Sequence, residues 1–83
     1  MPPATEVERA LGELRPGERA KVVGYRAQTA YCDQLMRLGL IPGTEFAVIR
    51  RAPLGDPIEI RVRGFALVLR PSEAHDLILG PAQ

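Results

Sequence analysis

The chain has 83 residues, enough for one small domain, and its net charge of +1 is too low for a dedicated nucleic-acid binder. Hydrophobic residues make up 46% and charged residues 25%, which is a globular and not a disordered composition. Because Cys32 is the single cysteine, no internal disulfide can form, and this favours a reducing, cytoplasmic setting.

The sequence predicts no direct insertion into a membrane. Residues 1–15 have no apolar stretch of the kind found in signal peptides, and they carry Glu6, Glu8 and Glu13. The longest clean apolar run is residues 65–69, far short of the roughly 20 residues that a spanning helix needs. Any membrane role is therefore expected to be indirect, through a partner.

The N-terminal quarter of the chain predicts a helical turn, a tight turn and a strand. Thr5 can cap a short helix that reaches Leu11, and Leu11 and Leu14 are spaced to place apolar side chains on a core. Pro16-Gly17 predicts a type II turn. Alternation in residues 18–25 predicts the first strand.

Residues 29–38 are the clearest predicted helix. Thr29 suits the N-cap, and Gly39 suits the left-handed position that follows a helix end. An apolar stripe predicts the buried face of this helix, and it comprises Tyr31, Leu35 and Leu38, with Cys32 and Met36 beside it. The next two apolar residues are expected to pack the helix exit.

Four further strands are predicted in the second half of the chain. They span residues 44–52, 58–63, 65–70 and 76–79, and residues 71–74 form one helical turn. The second of these strands alternates cleanly between apolar and charged residues. The strand 65–70 is apolar on both faces, which predicts a place in the middle of a curled sheet.

Five short strands, one inserted helix and two helical turns predict a mainly β fold, namely a small closed or partly open barrel. We expect a tail or short helix over residues 1–10, the domain over 11–79 and a tail over 80–83. Enzyme chemistry has little support, because the chain has one histidine, no glycine-rich phosphate loop and no assignable catalytic triad.

Four motifs resemble those of the FeoA family, and together they cover most of the domain. They are Leu11-x-x-Leu14-x-x-Gly17, Leu38-Gly39-Leu40-x-Pro42-Gly43-Thr44, Ala52-Pro53-x-Gly55-Asp56-Pro57 and Leu69-Arg70-x-x-Glu73-Ala74. The resemblance implies a five-stranded SH3-like barrel. It also implies a cytoplasmic, non-enzymatic accessory protein of bacterial ferrous-iron uptake. Such a protein would be recruited to the inner face of the membrane by FeoB, a permease with a cytoplasmic GTP-binding region.

A second function stays open beside this one. Domains related to FeoA occur at the C-terminus of iron-dependent DtxR-type repressors, so the chain could be a ligand-sensing module. No helix-turn-helix region precedes the predicted barrel, which disfavours this alternative.

The loop 52–57 is the first candidate for contact with a partner. Two prolines restrict its conformation, so that binding would cost less entropy, and Leu54 lies at its tip. The candidate residues are Pro53, Leu54, Gly55, Asp56 and Pro57. The alternative is that Leu54 folds back on the barrel and the loop is structural.

The helix and its exit are the second candidate surface, through Tyr31, Gln34 and Leu40. The alternative is that the apolar residues of this helix are core. A third candidate is a basic patch on adjacent strands, formed by Arg50, Arg51, Arg61 and Arg63, which could meet acidic groups or phosphate. The alternative for this patch is a solvated outer face interleaved with glutamates.

Metal binding has weak support in the sequence. His75 could recruit Glu73 or Asp76 to form a weak site for zinc or ferrous iron, whereas a structural zinc site needs about four ligands. Cys32 is expected to be a core residue. The prediction is therefore that no cofactor is required, with a weak homodimer or a metal-linked dimer as open alternatives.

Overall fold

The computed structural model describes residues 10–82 and contains five strands and one α-helix. The strands are β1 (Arg19–Tyr25), β2 (Glu45–Arg51), β3 (Ile58–Val62), β4 (Phe65–Leu69) and β5 (Leu77–Pro81); the helix is α1 (Ala30–Arg37), and a 3-10 turn spans Leu11–Glu13. The mainly β class predicted from the sequence is confirmed. The predicted helix start at Thr5 lies outside the described residues.

The strands form one antiparallel sheet in the order β4-β3-β2-β1-β5. Phe46 lies opposite Val62, and Val48 lies opposite Ile60, so these four apolar side chains share one buried face. Pairing of β1 with β5 brings the two ends of the domain together. Within residues 10–82, no helix is long and apolar enough to cross a bilayer.

The core contains apolar side chains from every strand and from α1. Its largest fully buried members are Leu14, Leu40, Ile58, Ile60, Leu69, Leu79, Val22 and Cys32. Leu11 and Leu14, which precede β1, are both buried, as their spacing predicts. Burial of such a side chain contributes roughly 1.5–3 kcal/mol, so this cluster is the main source of stability.

Helix α1 begins and ends at the residues that the sequence predicts. The Thr29 hydroxyl accepts a hydrogen bond from the Cys32 amide at 3.1 Å. At the other end, the Leu40 amide donates to the Leu35 carbonyl at 3.0 Å, and the Gly39 amide donates to the Met36 carbonyl at 3.1 Å. This pair of bonds is a Schellman motif, and Gly39 accommodates it with a φ of 112°.

The prediction that the strand 65–70 lies in the middle of the sheet is wrong. Among residues 10–82, β4 is an edge strand that pairs with β3 alone, and its Val68 side chain is 61% exposed. Leu69 is buried, whereas Phe65 is partly exposed. Apolar residues on both faces of a strand predict burial on both sides, whereas the face of β4 that carries Val68 is open to solvent.

Two further details depart from the sequence prediction. Leu38, expected in the buried stripe of α1, is 43% exposed, because the helix ends at this residue and the chain turns away. Strand β5 continues through Gly80 and Pro81, which pair with Lys21 and Ala20. It therefore ends two residues beyond the predicted end at residue 79.

Candidate functional site

The loop 52–57 is internally hydrogen-bonded and presents Leu54 to solvent. The Gly55 amide donates to the Ala52 carbonyl at 2.8 Å, and the Ala52 amide donates to the Pro57 carbonyl at 3.0 Å. Leu54 is 96% exposed, so it does not fold back on the barrel. Pro53 is also exposed, whereas Gly55, Asp56 and Pro57 are half-buried. The tip of the loop is thus an exposed apolar side chain on a restrained backbone.

Asp56 ties the loop to the segment before β5. Its Oδ2 accepts a hydrogen bond from the Ser72 amide at 3.2 Å. Its Oδ1 lies 3.9 Å from Nη1 of Arg70, which is an ion-pair contact without a hydrogen bond. Asp56 therefore positions the loop through Oδ2, whereas its buried Oδ1 has no hydrogen-bond partner among residues 10–82.

The guanidinium group of Arg51 packs against the loop 52–57. Its Nη1 donates to the Leu14 carbonyl at 3.1 Å. A Cβ placed on Gly55 would lie 2.8 Å from Nη2 of Arg51, so the guanidinium packs directly against this glycine. Gly55 also has a φ of 85°, which favours glycine. The loop conformation thus depends on both residues.

The four arginines of the predicted basic patch do not form one surface. The pairing of β2 with β3 shifts register between Val48 and Arg50, so Arg50 lies opposite Glu59 and bonds to it at 2.9 Å. Arg51, one residue on, is directed to the Leu14 carbonyl. Arg61 and Arg63 lie at the other end of the hairpin. The structure therefore places Arg61 and Arg63 near each other at one end of the hairpin, and directs Arg50 and Arg51 to different partners at the other end.

Arg61 and Arg63 border a groove of about 980 Å³ between the α1–β2 connection and the β3–β4 turn. Arg19 from β1 also lines it, and its Nη2 bonds to Oε1 of Glu45 at 2.9 Å. The groove is lined by Arg19, Gly39, Ile41, Pro42, Gly43, Thr44, Glu45, Phe46, Ala47, Arg61, Val62, Arg63, Gly64 and Phe65. The sequence singled out Arg61 and Arg63 but not the groove, because its two borders, at Pro42-Gly43 and Arg63-Gly64, are distant in the chain and meet only in the fold.

The helix surface presents fewer accessible candidate residues than the sequence predicts. Gln34 is exposed, and Tyr31 is half-buried with its hydroxyl accepting a hydrogen bond from the Arg70 amide at 3.1 Å. Leu40 is fully buried, so its side chain is not accessible to a partner. The Leu40 carbonyl accepts a 2.6 Å bond from the Tyr25 hydroxyl. Burial, with smaller effects of Cys32 and Tyr31, raises the pKa of Tyr25 to about 12.

The predicted metal ligands are spread over an exposed turn. His75 and Glu73 are exposed, and Nε2 of His75 lies 3.7 Å from Oδ2 of Asp76. Within residues 10–82, no three His, Cys, Asp or Glu side chains are grouped so that they could hold a metal ion. Cys32 is buried, as predicted.

The sequence and the fold of this chain can now be compared with those of known proteins. The model of the FeoA domain matches residues 9–79. The chain belongs to the FeoA family. The resemblance seen in the four sequence motifs is thereby confirmed, and FeoA proteins are small domains associated with ferrous-iron transport.

Solved FeoA structures agree with the fold. The FeoA protein of Chlorobium tepidum is 40% identical, with a TM-score of 0.79 over 90% of this chain and 71% of that chain. The Stenotrophomonas maltophilia FeoA, complexed with zinc and described as an SH3 domain protein, is 27% identical; the match covers 86% of this chain and 88% of that chain, with a TM-score of 0.69. The SH3-like barrel predicted from the sequence is confirmed.

One relative joins FeoA to a transporter. A Porphyromonas gingivalis protein that fuses Fe(2+) transport protein A to the Fe(2+) transporter FeoB is 28% identical over 64 residues. The match covers 77% of this chain and 8% of the length of that fusion. IdeR of T. acidophilum, 19% identical with a TM-score of 0.76 over 99% of this chain and 36% of that chain, shares the fold.

Proposed function

We propose that this protein is an accessory factor of ferrous-iron transport that docks on the cytoplasmic part of an FeoB-type permease. The observation that carries this proposal is the P. gingivalis fusion, in which the two partners are one polypeptide. Fusion holds two domains at a high effective concentration, which is useful when the separate domains act together. The proposal places the protein at the inner face of the membrane, as a regulator and not as an enzyme.

We propose that the loop 52–57 is the contact. Its backbone is already hydrogen-bonded, so little conformational entropy would be lost on binding. Burial of Leu54 in a pocket of the partner would contribute roughly 1.5–3 kcal/mol, which is about 10- to 150-fold in affinity. Pro53 widens the apolar tip, while Asp56 and Arg51 hold it in place.

The test is a calorimetric titration of the protein with the cytoplasmic domain of FeoB from the same organism. Leu54→Glu should weaken binding at least tenfold, because a carboxylate would have to be buried where an apolar side chain was. Val23→Glu is the matched control, since Val23 is an exposed apolar residue on β1 and lies outside the loop. Equal affinities of the wild type and Leu54→Glu would overturn the assignment of the loop.

No resident metal is part of the proposed docking. Within residues 10–82 no three possible ligands are grouped, and the exposed His75 imidazole has only the half-buried Asp76 carboxylate near it, at 3.7 Å. Treatment with EDTA, and the variant His75→Ala, should therefore leave the dissociation constant within twofold of the wild type. A loss of binding in EDTA that zinc restores would show that docking depends on metal.

A further inference from the structure

The groove bordered by Arg61 and Arg63 has no role in the proposed docking loop. It lies where β2 begins and β3 ends, whereas the loop 52–57 lies at the opposite end of the same hairpin. From Phe46 to Arg51 the strand rises by about 16 Å. The two surfaces are therefore separate.

The charge of the groove comes from two arginines that are not neutralised locally. Arg19 is engaged by Glu45 at 2.9 Å. Arg61 and Arg63 are exposed, and within residues 10–82 neither side chain forms an ion pair or a hydrogen bond. Arg61 lies in β3 and Arg63 is the first residue of the β3–β4 turn; the intervening Val62 is extended, so the two Cα atoms are about 6.6 Å apart. The groove thus presents a pair of available guanidinium groups.

Apolar side chains stand beside these guanidinium groups. Ile41 and Phe65 are both partly exposed, and Phe46 and Val62 are buried at the groove. A Cβ placed on Gly39 would lie 3.5 Å from Cζ of Phe65, so the aromatic ring lies close to the α1–β2 connection. Arginine and aromatic side chains beside an apolar concavity are the composition typical of protein contacts.

We propose that this groove binds an extended acidic peptide segment, in which carboxylates alternate with apolar residues. Alternate side chains of an extended segment are about 6.6 Å apart, which matches the spacing of Arg61 and Arg63. Arginine binds carboxylates in a bidentate geometry. The intervening apolar side chains point to the opposite side of the segment, so they would contact Ile41 on the facing wall of the groove.

A peptide fits this site better than a membrane surface or a phosphate group. The site is concave, whereas a bilayer is flat and favours protruding apolar residues. A free phosphate would use only the guanidinium groups and leave the exposed side chains of Ile41 and Phe65 without a partner, whereas a peptide has apolar side chains for the groove. The net charge of the whole chain is only +1, so long-range attraction to an anionic surface is weak.

The test uses a fluorescein-labelled synthetic peptide that alternates glutamate with leucine, and a control peptide with glutamine in place of each glutamate. Fluorescence anisotropy should show saturable binding of the acidic peptide and at least tenfold weaker binding of the neutral one. The double variant Arg61→Gln/Arg63→Gln should lose at least tenfold in affinity. Arg50→Gln is the matched control, because Arg50 is exposed but pairs with Glu59 outside the groove, and it should change the affinity less than twofold.

Several outcomes would overturn the inference. These are equal binding of the two peptides, equal binding by the double variant, and saturation by inorganic phosphate or phosphatidylglycerol vesicles without binding of the peptide. Self-association that Arg61→Gln/Arg63→Gln abolishes, seen by sedimentation in the absence of peptide, would assign the groove to a second copy of the chain instead. Because the probe is synthetic, failure here leaves the permease proposal standing, and failure of that proposal leaves this one standing.

Discussion

At the scale of the residue, Tyr25 links β1 to the segment that follows the helix. Its hydroxyl donates to the Leu40 carbonyl at 2.6 Å, next to a fully buried Leu40 side chain. Tyr25→Phe should lower the free energy of unfolding by about 1–2 kcal/mol, because the carbonyl loses its partner. Urea unfolding measures this. Tyr31→Phe is the control, and its effect should be smaller because its partner, the Arg70 amide, is at an exposed site.

The same tyrosine makes the free energy of unfolding depend on pH in alkaline solution. The pKa of Tyr25 is raised from 10.0 to about 12, so below pH 10 its contribution to stability is fully present. Between these two values the unfolded chain has lost the phenol proton while the folded chain keeps it, and stability falls as pH rises. Urea unfolding at about pH 9 and about pH 11 should show a steeper loss for the wild type than for Tyr25→Phe. Parallel losses would contradict the burial of this hydroxyl.

Alanine substitutions at Gly55 and Gly64 distinguish the cost of backbone strain from the cost of displacing a neighbouring side chain. Both have positive φ, 85° and 82°, but a Cβ meets Arg51 only at Gly55. Gly64→Ala should cost about 1–2 kcal/mol from strain. Gly55→Ala should cost about 1 kcal/mol more, because Arg51 must move from its bond to Leu14. Urea unfolding compares the two, and in an Arg51→Ala background the difference should disappear.

At the scale of the element, β4 has one face in the core and one face in solvent. Leu69→Ala should cost about 2–5 kcal/mol, since Leu69 is fully buried. Val68→Thr, one residue earlier, keeps the branched shape at an exposed position and should change stability by less than about 0.5 kcal/mol. Thermal unfolding distinguishes the two variants. A similar loss from both would mean that β4 is covered on its outer face.

Short sequence patterns predicted where the helix and the strands lie along the chain, but not which strands pair with one another. Thr29 and Gly39 gave the limits of α1 because caps and left-handed glycines act within one turn of the chain. Strand β3 was equally clear because its apolar and charged residues alternate. The place of β4 at the edge depends on which strands pair, and this is a property of distant residues that the composition of a strand does not encode.

The candidate sites show the same division between local and distant information. The sequence placed Leu54 at a loop tip between two prolines but left open whether it folds back on the barrel, and its exposure became clear only in the folded chain. The separation of the arginines did not follow from the sequence, because the register shift after Val48 changes which face Arg50 and Arg51 occupy. The groove at Arg61 and Arg63 needs a loop and a hairpin that are distant in sequence, so only the folded chain reveals it.

At the scale of the whole molecule, the two proposed surfaces should act independently. They lie at opposite ends of the β2–β3 hairpin, about 16 Å apart, and sites this distant are usually additive. Leu54→Glu should therefore leave the affinity for the acidic peptide within twofold of the wild type. Anisotropy titration measures this, with thermal unfolding as the check that the variant is folded. A tenfold change would show that the surfaces are coupled.

Because Cys32 is buried, the reactivity of its thiol reports how often helix α1 separates from the barrel. This residue is the single cysteine of the sequence, and its thiol is enclosed beneath α1. An aromatic disulfide reagent can reach it only when the helix leaves the barrel, so the reaction rate measures that motion. In the variant Leu54→Cys, the new thiol is exposed and reacts fast, whereas the buried thiol of Cys32 reacts slowly. A fluorophore can then be attached to the loop 52–57 without altering any other residue.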